Sequence, residues 1–380
     1  MRIGIITDAI DDKAAGIGTY VRNLVPNIIK LDKDNEYYLI HHDNSRNDFY
    51  EQFKHDKKVH EIIIPIGKIP FAREIRKIFS IPKILDSYEL ALVHETAQIG
   101  PFFTKTKYEK IVTVHDIAPI IIPKIHSKLV YLHHLLGLPI TFRNVDKIIA
   151  VSEATKKDII NNFKVSSSKI KTILEAQDGA FREIGHPEIQ KIKKQFGLNK
   201  YFLFVGSIEP RKNLERVLNA FNSMKTNSEI QFVIVTKKGW KNKKVLEIIE
   251  KSENIMVLNN ISKKSLIGLY SGAKATVFVS LYEGFGLPIL EANACGCPVI
   301  TSNTSSMPEI AGKAALIVNP LKTEEIRLAM EKIITNKTIG KRLRRYGLNN
   351  VKKYSWIKAA KMTIETYKEA AKKAFKNRIK

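Results

Sequence analysis

Short apolar runs alternate with stretches of helical period along most of this chain, and the series begins afresh near residue 200. Runs at 2–7, 36–41, 59–65, 90–94, 110–115 and 145–152 read as strands. Between the first two, Val21, Leu24, Val25, Ile28 and Ile29 repeat at helical spacing over 18–31. The second series has strands at 201–205, 230–235, 255–258, 275–280 and 298–301, and helices at 189–197, 213–224 and 263–271. Apolar strands separated by helices specify parallel sheets covered on both faces. The expectation is an α/β fold of two domains, residues 1–175 and 176–355, joined within 172–200. Residues 356–380 should form a long amphipathic helix that returns to the first domain. A chain of 380 residues suits two cores better than one.

Composition removes several classes. Apolar residues make up 44% and aromatics 8%, the profile of a globular protein. No apolar run approaches the roughly 18–20 residues of a membrane span. The first residues read as a strand rather than a leader, so a cytoplasmic location is expected. The net charge of +25 fits nucleic acid, an acidic membrane surface or an anionic small substrate, and equally a basic composition spread over solvated helix faces. No basic–aromatic nucleic-acid module is present, so nucleic acid is not an expected partner. Arg73, Arg76, Lys77 and Lys83 lie among Phe71, Ile75, Ile78, Phe79 and Ile81. That pattern fits a helix docked peripherally on the inner face of a membrane, or a core-facing helix. The two cysteines, Cys295 and Cys297, lack the remaining ligands of a zinc site and read as buried and reduced. Asp32 and Asp34 read as turn residues, so no metal site is expected.

Residues that carry chemistry gather where strands end. Strand 275–280 runs into Tyr282, Glu283, Gly284, Phe285, Gly286 and Leu287, and a helix is expected to open at Pro288 and carry Glu291. Bare N–H groups at such a corner can hold a phosphate, and the carboxylates can hold sugar hydroxyls. Gly206 and Ser207 follow strand 201–205 and lead to Arg211 and Lys212 at a helix start. Cations are disfavoured at that end of a helix dipole, which points to an anionic ligand such as a pyrophosphate. His115 and Asp116 end strand 110–115, at the edge where open α/β sheets bind ligands. Gly16 and Gly18 open the first helix, but Val21 stands where a dinucleotide fingerprint needs a small residue. The 302–306 loop, all Ser, Thr and Asn, can line a diphosphate site or cap the next helix.

On these residues the chain resembles the family 4 retaining glycosyltransferases, whose GT-B fold has two facing Rossmann-like domains. Glu283 through Glu291 looks like that family's E-x7-E motif, and 206–213 like its phosphate loop. The runs at 115–119 and 302–309 look most like mannosyltransferases of polysaccharide or glycolipid assembly. The resemblance implies a nucleotide-sugar donor, GDP-mannose favoured over UDP-glucose or UDP-N-acetylglucosamine. It also implies a saccharide or lipid-linked acceptor, and no cofactor or metal. Arg211 and Lys212 would hold the diphosphate and Glu291 the ribose. Glu283 would meet the sugar beside the backbone of Gly284, Phe285, Gly286 and Leu287. His115 would touch the sugar from the first domain, and the Gly16–Gly18 loop would approach the phosphates and the acceptor. A dehydrogenase and a basic nucleic-acid binder are the competing readings. The missing small residue after Gly18 weighs against the first, and the missing basic–aromatic module against the second.

Overall fold

The computed structural model of the chain describes residues 1–10, 15–42, 48–66, 75–100, 102–103, 106–225, 229–236 and 243–379. Two compact units emerge, Met1–Glu175 with Ser355–Lys380, and Ala176–Tyr354.

The first unit is built on a seven-stranded sheet of β1 (Arg2–Ile6), β2 (Glu36–His41), β3 (Val59–Ile63), β4 (Leu92–Glu95), β5 (Glu109–Val114), β6 (Lys147–Ala150) and β7 (Ile170–Thr172). The strand order is β3-β2-β1-β4-β5-β6-β7, and every neighbouring pair is parallel. Ile3 stands opposite Tyr37 on one side and Leu92 on the other. The winding direction therefore reverses at β1, and a ligand crevice is expected beyond the carboxyl ends of β1 and β4. Helix α1 (Ala15–Leu31) buries Tyr20, Val21, Leu24, Val25 and Ile28, and the Tyr20 hydroxyl lies 3.0 Å from Thr113 Oγ1 of β5. Helix α2 (Lys128–Asn144) is apolar around much of its circumference, so no helical stripe announces it in the sequence.

The second unit holds β8 (Lys200–Val205), β9 (Ile230–Thr236), β10 (Ile255–Asn259), β11 (Ala275–Phe278), β12 (Val299–Ser302) and β13 (Ala315–Val318). Their order is β10-β9-β8-β11-β12-β13, again parallel throughout. Helices α3 (Leu214–Asn222), α4 (Lys263–Gly272) and α5 (Leu287–Ala294) cover this sheet. The edge strands β7 and β13 were not among the expected strands. They are three and four residues long and only partly buried, too short for a period to register.

Helix α6 (Trp356–Ile379) groups with the first unit. Trp356 meets the Tyr20 ring edge-on at 5.8 Å, and Tyr367 Oη lies 2.7 Å from His94 Nδ1. Lys147 pairs with Glu369 at 3.1 Å.

Of the two readings left open for the basic segment at 71–83, Arg76 takes the core-facing one. It is buried, donates to the Ile64 carbonyl at 2.6 Å and pairs with Asp8. Lys77 donates to the Ile99 carbonyl at 2.8 Å, and Ile81 is buried. Desolvating a guanidinium is tolerated only with such partners. Phe79, Ile75 and Lys83 remain exposed, while Phe71 and Arg73 lie outside the described residues. Among the described residues, no helix is long and apolar enough to cross a membrane.

Candidate functional site

The charged corner of the second unit forms where β8 and β11, neighbours across its switch point, end side by side. After β8, Gly206 adopts φ 153° and donates its N–H to the Val235 carbonyl at 3.0 Å. The chain then makes a tight turn over Pro210–Lys212 before α3 begins at Leu214. After β11 it crosses Tyr282–Gly286 and enters α5 one residue earlier than expected, at Leu287. Pro288 sits in the first helical turn, where its missing N–H leaves no bond unmade. Gly286, at φ 107°, takes a conformation that a side chain would strain.

These turns bring Arg211, Lys212 and Glu283 together. Arg211 Nη1 donates to Glu283 Oε2 at 2.6 Å and to the Tyr282 carbonyl at 3.1 Å. Lys212 Nζ donates to Glu283 Oε1 at 2.7 Å and lies over the Phe278 ring. Glu209 stands 3.7 Å from Arg211, and Ser207 donates to Glu209 at 2.6 Å. All three members of the triad are largely shielded. Burial opposes ionisation of Glu283, but the Arg211 and Lys212 charges outweigh it and hold the carboxyl at about 2. Two cations near a helix start are thus balanced by carboxylates, a solution the dipole argument alone did not foresee.

The hydroxyl-rich loop holds this corner in shape. Ser305 Oγ accepts the Glu283 N–H at 3.0 Å. Ser306 Oγ donates to the carbonyls of Glu283 and Phe285 at 2.9 and 2.7 Å, and Thr304 Oγ1 to that of Leu281 at 3.1 Å. Sequence reasoning left that loop between two roles; here its side chains bind the backbone of the glycine turn.

Glu291 lies on α5, half-buried, and accepts the Tyr270 hydroxyl of α4 at 2.8 Å. Desolvation raises its carboxyl to about 7. The Tyr270 bond pulls it down and the Asp178 charge adds to the rise. Tyr270 carried no sequence signal, because its spacing reads as core. Cys295 and Cys297 are buried free thiols, each pushed up to about 12, chiefly by desolvation.

In the first unit His115 follows β5. Its Nδ1 lies 3.1 Å from Glu175 Oε1 and its Nε2 2.8 Å from the Thr96 carbonyl. Both neighbours accept, so the ring is best served as an imidazolium donating from each nitrogen. Burial works against that charge, yet Glu175 wins and the pKa stands above the usual histidine value. Glu175 lies in a stretch without a motif and was not foreseen. Gly16 and Gly18 fall in the first turn of α1. A Cβ on Gly18 would stand 2.9 Å from the Ala9 carbonyl, so close packing explains that glycine; a Cβ on Gly16 would meet nothing within 4 Å.

Comparison with known proteins gives this geometry a context. One family model, described as glycosyl transferases group 1, matches residues 186–352, and a second, glycosyltransferase family 4, matches 14–175. The O-antigen chain mannosyltransferase B of Escherichia coli is 29% identical over 71% of this chain and 73% of its own length. The serotype-specific mannosyltransferase WbdA of the same organism is 29% identical over 60% of this chain, but the match spans only 29% of that longer protein. Among solved structures, a sucrose-phosphate synthase of Thermosynechococcus elongatus superposes with a TM-score of 0.78 at 18% identity, covering 97% of this chain and 98% of its own. Anabaena HepE in complex with UDP-glucose superposes with a TM-score of 0.76 at 14% identity, covering 97% and 100%.

Proposed function

The chain belongs to the group 1 and family 4 glycosyltransferases, and from that premise we propose that it transfers mannose from GDP-mannose, with retention, to a saccharide or lipid-linked acceptor. That acceptor belongs to cell-surface polysaccharide or glycolipid, built on the cytoplasmic side. The observation that carries the donor class is the shielded Arg211–Lys212 pair, fixed by Glu283 where β8 and β11 end. Mannose as the sugar is supported by the relatives named mannosyltransferases. A second reading, UDP-glucose as donor, is favoured by the HepE neighbour solved with that molecule.

In the proposed mechanism the departing diphosphate gathers negative charge as the glycosidic bond breaks. Arg211 offers a planar fork and Lys212 a point charge, both already oriented, so they stabilise that charge more in the transition state than in the ground state. The sugar becomes oxocarbenium-like. The acceptor hydroxyl attacks from the departing side, and a leaving phosphate oxygen takes its proton. Glu283 has both oxygens on the cation pair, so its role is to position those cations rather than to attack the sugar. Glu291, as a carboxylate, accepts the ribose hydroxyls. His115, with both ring nitrogens committed, acts as a fixed positive group and not as a base.

A donor panel tests the proposal. GDP-mannose, UDP-glucose and UDP-N-acetylglucosamine are incubated in EDTA with saccharide and lipid-linked acceptors, and nucleoside diphosphate release is measured. Release from GDP-mannose ahead of the others is expected. Release from UDP-glucose alone replaces the sugar assignment, and release from none overturns the donor class.

A further inference from the structure

Four buried polar side chains of the first unit have no part in the chemistry described so far, and they form one continuous chain of contacts. His94 of β4, Thr113 of β5, Tyr20 of α1 and Tyr367 of α6 are each 0–1% exposed. Tyr367 Oη lies 2.7 Å from His94 Nδ1, His94 Nε2 lies 2.8 Å from Thr113 Oγ1, and Thr113 Oγ1 lies 3.0 Å from Tyr20 Oη. Burial, helped by the nearby His115 charge, holds His94 down at about 3. Its ring is therefore neutral, with one nitrogen donating and the other accepting. The hydrogen bonds can then run in one direction without a break, from Tyr367 to Tyr20 or the reverse. Hydrocarbon at these places would be cheaper to bury. What the polar chain adds is position, because each group is satisfied only while the others stay in place.

The chain of contacts ends on His115. The Tyr20 ring meets the His115 ring edge-on, with centroids 4.8 Å apart and planes at 88°. Trp356 of α6 meets the same Tyr20 ring at 5.8 Å. His115 is already bonded at both nitrogens, to Glu175 and to the Thr96 carbonyl. Two such bonds leave a ring free to rock about the line joining its nitrogens, since the acceptor directions are broad. A second ring packed on it opposes that rocking. Glu175 is the last residue of the first unit before the chain leaves it, and Trp356 is the second after the chain returns. Both stretches of chain that join the units therefore carry a residue bearing on His115, Glu175 directly and Trp356 through Tyr20.

We propose that Tyr20 is a positioning residue for His115, held in turn by Trp356 and by the Thr113–His94–Tyr367 chain, so that helix α6 sets the orientation of the His115 ring. The inference rests on the glycosyltransferase reading for its effect on turnover, but not for its effect on the ring. Tyr20, Trp356 and Tyr367 act on the reaction only through His115.

Two readouts on the full chain test this. The first is the imidazole signal of His115 in a histidine-labelled sample, assigned by its loss in His115→Gln. The second is steady-state nucleoside diphosphate release from GDP-mannose with methyl α-mannoside as acceptor. Tyr20→Leu should move the His115 signal and lower kcat about tenfold, with KM for GDP-mannose changed less than about twofold, the pattern of a misplaced group. Tyr20→Phe keeps the ring and the fold and loses only the Thr113 bond, so it should move the signal less and lower kcat a few-fold. Tyr367→Phe should do the same from α6. In the His115→Gln background Tyr20→Leu should cost less than about twofold more, because the two act as one unit. Thr363 is the control: it is buried on α6, and its hydroxyl donates to the Ala359 carbonyl at 2.8 Å, outside the chain of contacts. Thr363→Ala should lower thermal stability and leave both readouts unchanged. A His115 signal that stays in place in both Tyr20→Phe and Tyr367→Phe, or losses from Tyr20→Leu and His115→Gln that multiply, overturns the inference while turnover still upholds the donor reading. A signal that moves as expected in a chain that releases nucleoside diphosphate from no donor upholds the positioning and sinks the donor reading.

Discussion

The charged corner of the second unit and the cavity of the first lie at equivalent places on similar sheets, yet they are walled differently. At the corner, charge is dense and fully paired: Arg211 and Lys212 share the two oxygens of Glu283. The cavity of the first unit, lined by Asp8, Arg76, Lys77 and Glu95, pairs its charges too, Arg76 with Asp8 and Lys77 with Glu95, but sets them beside the exposed Leu129, Leu132 and Leu136. A paired cation cluster is a preorganised site whose partner must outcompete a carboxylate. The difference lies in what surrounds the charges: a glycine turn at the corner, an apolar helix face at the cavity.

The largest effect that could break this contrast is at the cations. Arg211→Ala and Lys212→Ala should each lower kcat by about 10²–10³, the range for losing one preorganised donor at developing charge. Steady-state nucleoside diphosphate release checks this, and a change below a few-fold in both variants would remove the corner from the chemistry. Glu283 comes next. Its carboxyl is held at about 2 against an ordinary 4.5, so it contributes about 3 kcal/mol of folding stability. That stability is present above pH 4.5 and is lost as pH falls from 4.5 towards 2. Glu283→Gln should therefore destabilise the chain at pH 7 and flatten the acid limb of its urea-midpoint profile.

Salt tests the corner more finely. Raising ionic strength should weaken GDP binding several-fold in the intact chain and less in Arg211→Ala, since screening acts on the charges that remain. Calorimetry at low and high salt reads both. The smallest effect concerns Glu291. With its carboxyl raised to about 7, ribose recognition should strengthen as pH rises through 7, a change of a few-fold that disappears in Glu291→Gln. The sign for stability is the reverse: the folded chain holds this proton longer, so Glu291 favours folding less as pH climbs from 4.5 to 7.

How much of this was legible beforehand follows the same contrast. Both parallel sheets could be read because their strands are continuous apolar runs, as in β1 and β8. The charged corner could be read because Arg211 with Lys212, and Glu283 with Glu291, fall in contiguous segments at strand ends. Their mutual pairing could not, since 72 positions separate Arg211 from Glu283 and only the β8–β11 adjacency joins them. Tyr270 and Glu175 escaped for the same reason, each meeting its partner through tertiary packing. The cavity was least visible. Its lining comes from several loops and from α2, whose all-round apolar surface shows no stripe in the sequence. The pattern around Arg76 left an interfacial and a core-facing helix open, and what decides for the core, Asp8, lies 68 positions away.

The central claim is that Arg211 and Lys212 hold the donor diphosphate. Titration of GDP in EDTA, into the intact chain and into the Arg211→Ala/Lys212→Ala double variant, tests it most directly. The account predicts saturable binding to the intact chain, weakened at least about a hundredfold in the double variant while the far-ultraviolet spectrum is unchanged. Equal affinity for GDP in the two proteins would contradict it.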